Sequence, residues 1–100
     1  MPTVNIAAGK VGAHGITLSA NVETDVQFAD DLVAVEVLSH DGAAAVYLTV
    51  DGSAPAVEGD NCHVLPAVVG AIQLEPPTYT GTRVRMISAG TPTLSVMRMA

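Results

Sequence analysis

The residues that could support nucleophilic catalysis lie next to one another in the chain. Cys62 is followed directly by His63, and Ser39, His40 and Asp41 are contiguous. A nucleophile needs a base within hydrogen-bonding reach, and that base must itself be oriented by a third group. Adjacent residues on a strand point to opposite faces, and three contiguous turn residues cannot form a triad by local geometry alone. We therefore predict that the protein is not an enzyme.

Metal and cofactor sites have equally little support in the sequence. The chain has three histidines and one cysteine, with no paired zinc-binding motif among them: His14, His40, His63 and Cys62. No glycine-rich phosphate loop and no dinucleotide fingerprint are present. A single cysteine also excludes an intramolecular disulfide, so we expect a buried thiol. We predict no zinc site and no cofactor.

The segment 51–61, with the sequence DGSAPAVEGDN, is predicted to be an exposed loop between two strands because it is rich in Gly, Pro and Asp. Four of its residues carry oxygen ligands suited to calcium, namely Asp51, Glu58, Asp60 and Asn61. Their spacing does not match an EF-hand loop. We expect a solvated acidic loop, with calcium or glycan binding as the open alternatives.

Charge is sparse and unevenly distributed. Charged residues make up 14% of the chain, against about 25% in typical proteins, while 49% of the residues are hydrophobic and the net charge is −6. All ten acidic residues lie between Glu23 and Glu75, and three of the four basic ones lie near the C-terminus. Nucleic-acid affinity depends on clustered Lys and Arg. The composition therefore disfavours nucleic acid as a partner.

Period-two alternation, interrupted every eight to twelve residues by turn residues, is the main secondary-structure signal. It predicts a single all-β domain, a small antiparallel β-sandwich of the immunoglobulin/fibronectin-like or jelly-roll-like kind, with about seven to nine short strands. Residues 16–100 form this domain, and residues 1–15 form either an extended N-terminal arm or a first strand. The candidate strands are 3–7, 16–21, 23–28, 32–38, 44–50, 62–65, 71–75, 82–88 and 93–99.

The middle of the chain gives the clearest local pattern. Val33, Val35 and Val37 alternate with smaller or polar residues and predict one apolar strand face. The following His40-Asp41-Gly42 predicts a hairpin turn to strand 44–50, because Asp and Gly tolerate positive φ. Phe28, Leu32 and Val35 also fit a short helix capped by Asp25, but the β-branched continuation favours the strand.

Several polar and flexible side chains are candidates for an interface. Arg83 and Arg85 share one face of a predicted strand, opposite Val84 and Met86. Two interpretations are open: a solvated face, or a contact with the acidic middle of a neighbouring subunit. Methionines on the last strand are either core or an adaptable contact surface. The candidates are Arg83, Arg85, Arg98, Asp51, Glu58, Asp60, Met97 and Met99.

The N-terminus lacks the charged start and apolar stretch of a signal peptide, and no run of residues is long enough to span a membrane. We expect cytoplasmic synthesis, a soluble product and no membrane partner.

Two stretches resemble a domain of tailed-bacteriophage virion structural proteins. They are residues 35–67, VEVLSHDGAAAVYLTVDGSAPAVEGDNCHVLPA, and residues 85–96, RMISAGTPTLSV, together about half the chain. Such proteins, which include decoration, minor capsid and tail components, repeat a "YxTxDGSxPT" strand and loop, a "VLPA" strand and a terminal "ISAGTPTxSV" hairpin. Residues 47–55 are also similar to the β-sandwich module of chitobiase-type glycosidases, although Ala56 stands where that module usually has Thr.

The resemblance implies a non-enzymatic capsid decoration or cement protein that binds the outer surface of a phage head and stabilises it. The implied partners are the major capsid protein and further copies of this chain. The implied location is the virion surface, after synthesis in the cytoplasm of the bacterial host. A tail- or fibre-associated module that contacts a receptor or carbohydrate is the alternative, with the loop 51–61 as its contact site.

Overall fold

The computed structural model describes residues 2–77 and 81–99, and it shows an all-β sandwich of nine strands. No helix occurs in these residues, so the short helix considered around Leu32 does not form, and none is long and apolar enough to cross a membrane. The strands are β1 (Thr3–Ile6), β2 (Gly12–Thr17), β3 (Thr24–Phe28), β4 (Val35–Ser39), β5 (Val46–Thr49), β6 (His63–Leu65), β7 (Gly70–Leu74), β8 (Thr82–Ser88) and β9 (Thr93–Arg98).

The strands form two sheets. The five-stranded sheet has the order β1-β3-β8-β5-β6, and the four-stranded sheet has the order β2-β9-β4-β7. All pairs are antiparallel except β1 and β3, which run parallel. The predicted sandwich is therefore confirmed, with one parallel pair at an edge of the larger sheet.

Small aliphatic side chains fill the space between the sheets. The alternation is clearest on β4, where Val35 and Val37 are fully buried and the alternate residues Glu36 and Leu38 are only partly buried. Burying one such side chain stabilises the fold by about 1.5–3 kcal/mol. The fully buried aliphatic residues include Val26, Val35, Val37, Val46, Leu48, Val84, Met86, Leu94 and Val96.

The predicted hairpin between 32–38 and 44–50 is wrong. β4 pairs with β7 and β9 in the smaller sheet, whereas β5 pairs with β6 and β8 in the larger one. Gly42 does have a positive φ of 59°, but the turn carries the chain from one sheet to the other. The expected hairpin of residues 85–96 fails for the same reason, because β8 and β9 lie in different sheets.

Two strands begin or end away from their predicted positions. The strand predicted at 16–21 is Gly12–Thr17 in the structure. It ends early because the chain turns at Ser19–Val22, where Asn21 has a φ of 59° and Val22 N donates a hydrogen bond to Ser19 O. The other begins at Val35 instead of residue 32, after a loop in which Leu32 N donates to Thr82 Oγ1. Val33 consequently leaves the apolar face predicted for it and is 80% exposed.

Residues 2–15 lie against the sandwich. β1 pairs with β3 of the larger sheet, and Gly12 begins the pairing of β2 with β9, which shifts register between Ala13 and Ile16. Gly12 is tightly enclosed, because a Cβ atom there would lie 2.0 Å from the carbonyl oxygen of Val96. The N-terminal segment thus contributes one edge strand to each sheet.

We expect Gly12→Ala to lower the free energy of unfolding by about 1–3 kcal/mol, because the new methyl group meets backbone atoms that cannot move aside without breaking the β2–β9 ladder. Urea unfolding measures the effect. Gly70→Ala is the matched control, since a Cβ there meets only a Val68 methyl group at 3.9 Å. Equal stability of the two variants would contradict the close approach at Gly12.

Candidate interaction surfaces

The residues considered for nucleophilic chemistry are engaged elsewhere. Cys62 is only partly buried, contrary to the expected buried thiol, and its Sγ lies 3.7 Å from Ala56 O. Ser39 Oγ accepts a hydrogen bond from Gly42 N, and His40 Nε2 lies 2.6 Å from Ser95 Oγ. In residues 2–77 and 81–99 no three His, Cys, Asp or Glu side chains come together in a way that could hold a metal ion.

The loop between β5 and β6 opens with a turn that uses Asp51. Its Oδ1 accepts hydrogen bonds from the Ser53 hydroxyl at 2.6 Å and from Ser53 N at 3.0 Å. These bonds lower the pKa of Asp51 below its ordinary value. Glu58 and Asp60 lie further along the loop and are exposed. The Asp51 carboxylate is therefore committed to shaping the loop, as in other Asx turns.

Arg83 forms an ion pair with a buried aspartate of its own chain. Its Nη2 lies 2.6 Å from Oδ2 of Asp25, whose side chain is 1% exposed while that of Arg83 is 43% exposed. Gln27 Nε2 donates to the same oxygen at 2.9 Å. Both partners come from paired strands, since β3 and β8 place Asp25 opposite Arg85 and Gln27 opposite Arg83. The buried carboxylate thus has both a cation and a neutral donor.

Arg85 is the second arginine of this face, and its donors are also used within the chain. Its guanidinium binds Glu23 through two hydrogen bonds, of 2.6 Å and 2.9 Å, and Nη1 donates to Gly52 O at 2.6 Å. Glu23 raises the pKa of Arg85 above its ordinary value. The bond to Gly52 ties the β5–β6 loop to the outer face of the larger sheet.

The two arginines do lie on one face, as predicted, with Val84 and Met86 buried on the other. They do not form an unpaired basic stripe, however, because Glu23 and Asp25 neutralise them. A contact with the acids of a neighbouring subunit would have to break these pairs.

Arg98 joins three segments at one end of the sandwich. Nη2 is hydrogen-bonded to Asp30 Oδ2, and Nε donates to Lys10 O at 2.7 Å. Asp30 Oδ2 also accepts from Gly9 N at 2.8 Å. The Arg98 hydrogen bond is the main cause of a lowered pKa at Asp30, and the Gly9 bond adds to it. We call this network, Gly9, Lys10, Asp30 and Arg98, the Arg98 clasp.

Three exposed apolar residues lie close in the chain to members of the Arg98 clasp: Val11 follows Lys10, Met99 follows Arg98, and Val33 lies three residues after Asp30. Val33 is 80% exposed, Val11 is 57% exposed and Met99 is also exposed. Two backbone hydrogen bonds join their segments: Arg98 N donates to Val11 O, and Met99 N donates to Ala34 O, next to Val33. We call Val11, Val33 and Met99 the apolar end. Met97 is half-buried on β9, two residues nearer the middle of the strand.

The eight predicted interface residues therefore do not form one surface. Arg83 and Arg85 lie on the larger sheet, Met97 and Arg98 lie on β9 of the smaller one with Met99 directly after it, and the acidic residues lie in the β5–β6 loop. Sequence reasoning missed the acidic partners and Val33. Opposite charges on β3 and β8 would have indicated the ion pairs if the pairing of these two strands had been known. The alternation of apolar and polar residues does not show which strands pair.

Removing the cation beside Asp25 should destabilise the fold. We expect Arg83→Ala to cost about 1–3 kcal/mol, because it leaves a buried carboxylate without its charged partner, although water reaches the exposed side of the pair. Thermal or urea unfolding measures the loss. Arg83→Lys keeps the charge and should cost less, and an alanine variant as stable as the wild type would contradict a stabilising role for this ion pair.

The Arg98 clasp should make stability depend on pH. The pKa of Asp30 is lower in the folded protein than in the unfolded chain. The ionised Asp30 carboxylate therefore stabilises the fold fully above the pKa that Asp30 has in the unfolded chain, and this stabilisation is lost as the pH falls through its folded pKa. Asp30→Asn should therefore lower the urea midpoint at about pH 7. The midpoint of the variant should also decrease less than that of the wild type between about pH 7 and about pH 3. Asp60→Asn makes the same charge change on an exposed loop residue and should leave both midpoints nearly unchanged.

Comparison with known proteins defines the fold more than the function. No family model and no curated protein matches the sequence. The structure is similar to that of PliG from Aeromonas hydrophila, a periplasmic inhibitor of g-type lysozyme, with TM-score 0.58 and 10% identity over 98% of each chain. It also matches a family two carbohydrate esterase from Cellvibrio japonicus, with TM-score 0.39 and 18% identity over 90% of this chain and 26% of that one. The first likeness is one of fold alone.

Proposed function

We propose that this protein is a virion structural protein that decorates the outer surface of a bacteriophage head and binds it through the apolar end. The observation that carries the proposal is the exposure of Val33 and Val11 on two segments, before β4 and before β2, that backbone hydrogen bonds join to Met99 and Arg98. Single exposed apolar residues are common, but a fixed group of them favours a protein contact. The resemblance of residues 35–67 and 85–96 to phage virion proteins indicates the kind of partner.

The charge distribution supports a partner with a basic surface. All three arginines are paired with carboxylates of this chain. Of the ten acidic residues, three are used in these pairs, and the remaining seven stand against Lys10 alone. Two of the seven, Asp31 and Glu75, flank Val33 in a shallow groove. A capsid surface that offers an apolar patch bordered by Lys or Arg would complement this end.

Binding would stabilise the head by mass action, because a ligand that binds only the assembled shell shifts the equilibrium towards it. The Arg98 clasp contributes by fixing the apolar end before contact, so that little conformational entropy is lost on docking.

Co-sedimentation with undecorated phage heads tests the proposal. We expect saturable binding at a fixed ratio per capsomer, and a decrease in affinity as salt is raised. Absence of binding at every protein concentration would overturn decoration and favour a tail-associated role.

Val33→Asp should weaken binding by about tenfold or more, because it places a charge in an apolar contact and removes the burial of one valine. Val22→Asp is the matched control, since Val22 is also exposed but lies before β3, at the opposite end of the strand from Asp30. The control should bind like the wild type. Equal weakening of both variants would show that added negative charge, and not the apolar end, controls binding.

A further inference from the structure

The sandwich has four edge strands, and β7 is the longest of them that has no register shift. Edges invite pairing with other chains unless they are short, charged, bulged or interrupted by proline. β6 has only three residues and is followed by Pro66, β2 contains a register shift, and β1 has four residues and packs beside β2. β7 has five residues, Gly70–Leu74, with no charge, proline or register shift within the strand, and Glu75 and Pro76 follow it.

The surroundings of β7 are apolar and uncharged. Residues 64–74 contain no Asp, Glu, Lys or Arg, as is also true of residues 11–22 and 86–97. Val69, directly before the strand, is 69% exposed, and Val68 is also exposed. Within the strand Ala71 and Gln73 are exposed. No strand of residues 2–77 and 81–99 pairs with the outer side of β7.

We propose that β7 is a homodimer interface, in which two copies of this chain pair their β7 strands antiparallel about a two-fold axis through Ile72. This register is the one that pairs all five residues of the strand with a second copy of itself. It places Ile72 opposite Ile72 and Ala71 opposite Gln73, while Gly70 meets Leu74. The two four-stranded sheets become one continuous eight-stranded sheet.

The second copy is the occupant that the charges favour. No like charges face each other across this register, because the nearest charged residue, Glu75, falls opposite Val69. Like charges directly opposite would destabilise a strand pair. The net charge of −6 repels two copies at long range, but it is carried by residues outside β7. Pairing would also bring Val68 and Val69 of each copy close to the other copy.

The dimer does not depend on the proposed function. If the protein both dimerises and decorates a phage head, a two-fold dimer presents two apolar ends at once, so that one dimer bridges two binding positions on a shell.

The register can be tested with two double variants that both place lysine at position 73. In Ala71→Lys/Gln73→Lys, lysine faces lysine twice across the proposed axis, whereas in Ala71→Glu/Gln73→Lys each lysine faces a glutamate. Both positions are exposed, so the monomer fold should tolerate the changes. The lysine at 73 also lies beside Glu36 of the same chain in both variants.

Sedimentation velocity over a range of concentrations measures the oligomeric state, and circular dichroism checks that each variant is folded. We expect a wild-type dimer, a dissociation constant about tenfold or more higher for the Lys/Lys variant, and a dimer again for the Glu/Lys variant. A wild-type monomer at every concentration, or a dimer that the Lys/Lys variant leaves intact, would overturn the proposal. Equal loss of dimer in both variants would overturn the register through Ile72.

Discussion

The chain passes from one sheet to the other at every connection except the β5–β6 loop, and the rest of the structure depends on this. Apart from β5 and β6, strands that are neighbours in the sequence therefore lie in different sheets, and they pair by backbone hydrogen bonds with strands that are more distant in the sequence. Each sheet takes strands from both halves of the chain, so neither is built from one continuous stretch of sequence. The side chains of the core, mostly Val, Leu and Ile with Phe28 and Met86, fill the space between the two layers.

The ion pairs follow from the same arrangement. Asp25 and Glu23 precede or begin β3, and their arginine partners lie about sixty residues later on β8, which the topology places directly beside it. Arg98 is separated from Asp30 by a similar distance in sequence. Each arginine thus closes a long-range contact. This use of the arginines leaves seven acidic residues and Lys10 outside the ion pairs.

The sequence pattern predicted the layers of the fold but not the connections between strands. Seven of the nine strands lie within about two residues of their predicted positions, β2 and β4 are displaced, and the opposite faces of Arg83 and Val84 followed from period two alone. The turn at Gly42 was located correctly, yet its φ is compatible with a hairpin and with a crossing between sheets. Val33 shows the limit most clearly: its alternation with Val35 indicates a core residue, but the loop fixed by Thr82 keeps it outside the sheet.

The positions of β8 and β9 have a consequence for folding during synthesis. β9 lies between β2 and β4, and β8 lies between β3 and β5, so the last two of the nine described strands to leave the ribosome are central in their sheets. A nascent chain that ends before Thr93 has strands β2 and β4 with no partner between them. Productive folding must therefore wait until residues up to Arg98 have emerged, and until then the earlier strands depend on chaperones or on rapid elongation to avoid pairing with other chains.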